Sequence, residues 1–327
     1  MHQTRMNTSV PPTRWLSCVC ILSLLAAPAA GQQWPGFRGP TGVGLSQDKN
    51  LPIVWGGAES ENVLWKTPLI GDGHASPIVW GDRLFVSTVR WDEAVQERAK
   101  AMPEHHVLCY QTGDGKLLWD AKVEPGPWLR SDFRSGPGGG YAAPTPTTDG
   151  QRVFVVFGSA VIAALDYSGA VIWRHEIKPY TFDVTVGSSP VLYGDSVLLL
   201  CAMANKSDSK LIAYRKSDGS VKWETPLPRT GFAHSTPALI DVGGKPQLVV
   251  VASGSGETDE GVQSFDPATG DRIWWCRGGG DASSAAFGAG VVYCDNGRGG
   301  PGVAVDPSGQ GDVTQTHIRW RVNHIPE

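Results

Sequence analysis

The sequence predicts an all-β protein built from repeated four-stranded antiparallel units, the arrangement of a β-propeller. Three observations predict it. First, Trp65, Trp119, Trp173, Trp223, Trp274 and Trp320 recur at spacings of 54, 54, 50, 51 and 46 residues, and a period near 50 marks a solenoid or a propeller. Second, apolar runs of four to six residues lie between them, rich in Val, Leu, Ile and Phe and bounded by Gly, Asp and Pro, which is the signature of strands and turns. Third, the 327 residues include 41 Gly and 24 Pro, a composition that argues against a helical bundle. Helical periodicity is confined to Trp91–Met102 (WDEAVQERAKAM), which reads as a helical insertion in the first unit.

The chain opens on a segment with Arg5 and Arg14 and no acid, followed by the apolar run Trp15–Ala27 and the small-residue site Ala27-Pro28-Ala29. This order is that of a secretory signal, so residues 1–30 are expected to be removed on export. Residues 31–64 form an N-terminal leader with the first strand or strands, and 65–327 the repeats, the last unit being incomplete. After the signal no run is long and apolar enough to span a membrane. Export implies a periplasmic or extracellular protein, and the four cysteines beyond the signal, Cys109, Cys201, Cys276 and Cys294, could exist as buried thiols or as bridges.

Each unit opens on a small residue and Pro: Ser76-Pro77, Ala143-Pro144, Ser189-Pro190, Thr236-Pro237 and, with Pro lost, Ser284-Ala285. An apolar run and a turn follow, then a second run such as VFVVF from Val153 or LVVVA from Leu248. A third run and a Gly turn lead to the closing Trp. One four-stranded sheet cannot cover its own two faces, so neighbouring blades must bury them. A flat Trp suits that contact, since one aromatic side chain buries roughly 150–250 Å².

In the fourth unit the tail reads Ser264-x-Asp266-x-x-Thr269-Gly270-x-x-x-Trp274. It resembles the tryptophan-docking motif of pyrroloquinoline quinone (PQQ) repeat propellers, A-x-D-x-x-T-G-x-x-x-W. Gly115 and Trp119, Gly169 and Trp173, and Gly219 and Trp223 keep the spacing, with Asp166 displaced by one place and Gln111 and Arg215 standing where Asp would be. The stretch Trp34-Pro-Gly-Phe-Arg-Gly-Pro-Thr-Gly-Val-Gly is similar to the leader of secreted members of that family. The resemblance spans Trp34 to the C-terminus and implies a fold of seven or eight blades. About five to six are countable here, so the expectation is a truncated member or one with an unusual number of blades.

The charge of −4 gives no electrostatic case for nucleic acid. A hydrophobic content of 41% with 18% charged residues excludes a mostly disordered chain. Phosphate-loop, nucleophile-elbow, H-E-x-x-H and C-x-x-C-H motifs do not occur. His105-His106 reads as a solvated pair on a loop, and Glu257-Thr-Asp259-Glu260 as an exposed turn.

In the resembled fold the small-Pro segments begin the innermost strands, beside the central channel. Residues three places before each Pro-equivalent would ring one mouth: His74, Tyr141, Gly187, His234 and Ala282. With Asp72, Asp183 and Asp281 nearby, and Arg130 and Arg134 on the Gly-rich loop before Tyr141, they outline a concave polar binding site. The candidate binding residues are therefore His74, Arg130, Arg134, Tyr141, Asp183, His234 and Asp281. No catalytic or metal-binding residue is assigned. The resemblance implies two functions. One is a non-catalytic propeller that binds a protein or small ligand, similar to the propeller of outer-membrane assembly machinery. The other is a quinoprotein alcohol or sugar dehydrogenase with PQQ stacked in the channel, Ca²⁺ beside it, and Asp183 or Asp281 as base. The absence of a strong catalytic motif favours the first.

Overall fold

Four-stranded antiparallel sheets repeat five times along the chain. The structure, a computed structural model, describes residues 33–95, 98, 101–127, 140–178, 186–203, 205–253, 260–295 and 301–323, all within one compact unit, Gly31–Glu327. Blade 1 is β1 (Ile78–Trp80), β2 (Arg83–Arg90), β3 (Glu104–Gln111) and β4 (Leu117–Val123). Blade 2 is β5 (Thr147–Thr148), β6 (Arg152–Phe157), β7 (Val161–Asp166) and β8 (Val171–Glu176). Blade 3 is β9 (Val191–Tyr193), β10 (Ser196–Cys201), β11 (Lys210–Arg215) and β12 (Val221–Pro226). Blade 4 is β13 (Ala238–Val242), β14 (Lys245–Val251), β15 (Val262–Phe265) and β16 (Arg272–Cys276). Blade 5 is β17 (Ala286–Gly288), β18 (Val291–Asp295), β19 (Gly302–Val305) and β21 (Ile318–Val322). The insertion before Trp320 supplies β20 (Gly311–Asp312), which runs parallel to β16 and widens blade 4 to five strands.

The apolar runs are continuous because the middle strands are buried on both faces. In β6, Phe154 and Val156 pack toward blade 3 with Val197, Leu199 and Cys201. Val153, Val155 and Phe157 pack toward blade 1 with Phe85, Val107 and Cys109. Equivalent cores join blade 3 to blade 4 and blade 4 to blade 5. All four cysteines of the described region are buried free thiols in these cores. Burial pushes Cys201 and Cys276 up to about 12, so both stay protonated.

The outer strands carry the docking tryptophans. Trp65, Trp119 and Trp173 each donate the indole N–H to a carbonyl of the next unit: Thr112 at 2.7 Å, Tyr167 at 2.9 Å and Lys216 at 2.9 Å. Each ring, and that of Trp223, lies on the glycine of the following G-x-x-x-W stretch. Trp65 belongs to the stretch 63–70. Thr67 Oγ1 donates to Gly115 O at 3.0 Å, as Thr225 Oγ1 does to Gly270 O at 2.8 Å. That stretch therefore takes the place of an outer strand ahead of blade 1, though it pairs with no strand among the described residues.

Three expectations are corrected. The described part of Trp91–Met102 is a connection with turns and a 3-10 position at Arg98, with no α-helix among its described residues. His105 and His106 lie in β3, buried on opposite faces, because each finds a partner at a distance. His105 Nε2 is 2.7 Å from Ser159 Oγ in blade 2, and His106 Nδ1 is 2.7 Å from Asp120 Oδ1 in β4. Glu260 is not exposed: its carboxylate is 6% accessible and ion-paired with Arg272 and Arg229. Glu257 and Asp259 lie outside the described residues.

Candidate functional site

The innermost strands β1, β5, β9, β13 and β17 surround the leader, which fills the axis. Trp34 and Val79 exchange two backbone bonds at 2.9 Å, extending β1 inward. Gln33 Oε1 accepts from the Gly81 N–H at 2.6 Å. Pro35 O accepts from the Thr148 N–H at 2.8 Å and from Thr147 Oγ1 at 3.0 Å, both on β5. Arg38 Nη1 reaches Ser284 O at 3.3 Å, next to β17, and Gly42 lies against Ala238 and Leu239 of β13. Successive turns, Gly39 N–H to Gly36 O at 3.0 Å and Gly42 N–H to Gly39 O at 3.2 Å, coil the segment tightly enough to fit. Beside it lies a cavity of about 120 Å³, lined by Phe37, Trp80, Thr147, Pro190, Leu192 and Leu239 among others.

Around one end of the axis the small residues of the five units form a ladder. The Ser76 N–H donates to Thr145 Oγ1 at 3.1 Å, Thr145 N–H to Ser189 Oγ at 3.0 Å, Ser189 N–H to Thr236 Oγ1 at 3.0 Å, and Thr236 N–H to Ser284 Oγ at 2.9 Å. Each hydroxyl thus caps a backbone donor of the preceding blade, where the chain is not yet paired as a strand. The ladder resets the repeat in blade 2. Its small-Pro pair is Thr145-Pro146, two places later than Ala143-Pro144, so the residue equivalent to His74 is Ala143.

Tyr141 consequently leaves the mouth. It is fully buried in the core between blades 1 and 2, 6.2 Å from the Trp91 ring and 5.8 Å from His105. His74 is exposed, and its N–H donates to Ala142 O at 2.9 Å. The His234 N–H donates to Asp281 O at 2.6 Å, the same bond made between blades 4 and 5. The His234 ring leans over Gly187, where a Cβ would collide with it, and stands edge-on to Phe232 at 4.6 Å. His234 and Asp281, both half-buried, are therefore brought together. His74 occupies the matching position three blades away. Arg130, Arg134 and Asp183 lie outside the described residues.

Sequence reasoning missed Arg38, whose signal was its place as the one basic residue in the Gly/Pro-rich run 33–48. It also missed the cluster in which Asp295 accepts from Ser283 Oγ and, at 3.2 Å, from Tyr293 Oη. Burial and the Asp295 carboxylate hold that phenol above its ordinary value.

A planar quinone with Ca²⁺ needs open space on the axis and a cluster of carboxylates. Here Trp34–Gly44 occupies the axis, and the cavity beside it, about 120 Å³, falls below the roughly 300–1,000 Å³ usual for ligand pockets. Among the described residues no group of three or more His, Cys, Asp or Glu is placed to hold a metal ion. The described residues do not fit that group.

Five blades tied by docked tryptophans define a PQQ-like repeat β-propeller. The chain belongs to the family described as outer membrane protein assembly factor BamB, whose model matches residues 58–310. No curated protein matches by sequence. Among solved structures, it is similar to BamB from Moraxella catarrhalis, with a TM-score of 0.52 and 16% identity over 79% of this chain and 64% of that one. It is also similar to the quinohemoprotein alcohol dehydrogenase of Comamonas testosteroni, with a TM-score of 0.59 and 14% identity over 92% of this chain and 50% of that one. The alcohol dehydrogenase ADHIIG of Pseudomonas putida HK5 gives 0.53 and 13%, over 80% and 44%. The chain spans between less than half and just under two thirds of these structures. At such identities they establish the fold alone.

Proposed function

We propose that the chain is a non-catalytic, exported propeller that binds another protein through its N-terminal strap, residues 45–70. One observation carries this reading. Of the fourteen strongly exposed large apolar side chains among the described residues, eight fall in that stretch. They include Leu51 at 61%, Ile53 at 92%, Trp55 at 69% and Leu64 at 91% exposure, whereas the blade surfaces contribute only scattered ones. A concentration of apolar surface on one segment marks an interaction site. Membership of a family described as an outer-membrane assembly factor supports a protein partner and an envelope location. The leader coiled on the axis speaks against a cofactor there.

Site-specific photo-crosslinking in cells tests the strap. A photoreactive residue at Ile53 is expected to give discrete protein adducts, and one at Ile172 on the outer strand of blade 2 to give none. Equal or absent adducts at both positions would remove the reading. Export is tested separately by the N-terminus of the mature protein, expected just after Ala30. Retention of residues 1–30 would contradict it.

A further inference from the structure

A cleft of about 480 Å³ lies between blades 2 and 3, at the ends of their hairpins. It is lined by Asp149, Gln151, Arg152, Gly194, Asp195, Arg215, Lys216 and Ser217. The carboxylates there are already paired: Asp149 with Lys216 at 3.0 Å, and Asp195 with Lys222 at 2.6 Å. Neither guanidinium is ion-paired at contact distance among the described residues, although Arg215 lies within electrostatic reach of Asp218. Arg152 Nη1 donates to the carbonyls of Lys216 and Ser217. Arg215 Nη1 donates to Ser220 Oγ at 3.2 Å and Val221 O at 3.1 Å. Each guanidinium carries five donors. Among the described residues, the bonds of both run through Nη1 to neutral acceptors.

Arg215 is also where the repeat departs from itself. In units 2, 4 and 5 an aspartate stands at this point and holds the turn. Asp166 accepts from the Ser168 N–H at 2.8 Å, Asp266 from Ala268 at 2.7 Å and Asp306 from Ser308 at 3.0 Å. In unit 3 the turn is held by Asp218, which accepts from the Ser220 N–H at 2.8 Å. The turn does not need an aspartate at this point, as unit 1 shows, where Gln111 stands here and Asp114 accepts from the Lys116 N–H at 3.0 Å; among the five equivalent positions only Arg215 is cationic. Counting Arg152, Arg215 and Lys216 against Asp149 and Asp195, the lining carries one net positive charge. A polyanion would meet two carboxylates in the cleft. A single carboxylate matches the net charge and the planar fork of an arginine.

We infer that this cleft binds a carboxylate group, with Arg215 and Arg152 as its donors. The inference is independent of the strap and goes beyond it. The shared chemistry is found in a small free carboxylate and in an Asp or Glu side chain of a peptide. Fluorescence anisotropy at low salt with the full chain and a labelled, C-terminally amidated peptide with one acidic residue, Gly-Ser-Glu-Gly flanked by neutral residues, tests it. Saturable binding is expected. It should weaken about tenfold in Arg215→Gln, the loss typical of one charge-assisted bond. The Gln version of the peptide should not bind. Displacement by millimolar acetate would mark a general carboxylate site, and resistance to acetate one that reads the peptide. Arg152→Lys, which keeps the charge but loses the fork, gives a second readout should Arg215→Gln melt early. Absent binding, or equal binding by parent and both variants, overturns the inference.

Discussion

The indole N–H of Trp274 donates to Gln247 Oε1 at 2.9 Å, and Gln247 Nε2 donates in turn to Pro307 O at 3.1 Å. Gln247 therefore relays a contact that Trp65, Trp119 and Trp173 make directly to a carbonyl of the next unit. It also accepts from Ser264 Oγ at 2.8 Å, and it is 5% exposed. Gln247→Leu strands three buried polar groups, each costing about 1–3 kcal/mol when unsatisfied. The expected loss in urea unfolding is about 3 kcal/mol or more. Gln247→Glu keeps the acceptor but not the donor to Pro307 O, and should fall between. A Leu variant as stable as the parent would show that the relay carries no energy.

Gly270 has φ +80°, and a Cβ built there would stand 2.5 Å from Trp223 Cε3. Gly81 has φ +61°, and nothing lies within 4 Å of its Cβ. Both pay the left-handed penalty for Ala, about 1–2 kcal/mol, but only Gly270 adds overpacking, about 1–3 kcal/mol. Gly270→Ala is thus expected to lower the melting temperature roughly twice as far as Gly81→Ala. Equal shifts would mean that the Trp223 ring yields at no cost.

The blades were legible because their physics is written into local pattern. A strand buried on both faces must be apolar throughout, as in VFVVF, and a glycine lies under the rings of Trp65, Trp119, Trp173 and Trp223, which is why the glycine of G-x-x-x-W recurs. The leader was not legible as an axial segment. Its anchors are mostly backbone groups, Trp34 to Val79 and Pro35 to Thr148, and these leave no side-chain pattern. Blade 2 was misaligned because Ala-Pro-Thr-Pro offers two registers, and the two ladder bonds at Thr145, from the Ser76 N–H to its Oγ1 and from its own N–H to Ser189 Oγ, choose between them. His105 and His106 looked like loop residues because their partners lie 54 and 14 residues away.

The hydroxyl ladder predicts a local rather than a global signature. Thr145 is 2% exposed, so its N–H cannot turn to water if Ser189 Oγ is removed. Ser189→Ala is expected to cost about 1–3 kcal/mol and to speed hydrogen exchange at the Thr145 amide first. Ser189→Thr keeps the acceptor and should preserve protection. Undiminished protection of Thr145 in the Ala variant would show that the bond is not needed.

His105 predicts a pH dependence. Its ring stacks on Phe157 at 4.5 Å and is fully buried, and burial pushes its pKa down from 6.5 to about 3. Below pH 6.5 the unfolded chain takes up a proton that the folded chain refuses. The stability contributed by the neutral ring is therefore complete above about pH 6.5 and falls with pH toward 3, by about 1.4 kcal/mol per unit at full slope. His105→Gln keeps a partner for Ser159 Oγ but cannot titrate. Unfolding free energies measured from pH 7 to 5 should therefore drop less steeply in the variant, with the difference approaching one proton near pH 5. Parallel curves for parent and variant would place the pKa of His105 near its ordinary value and remove the burial argument.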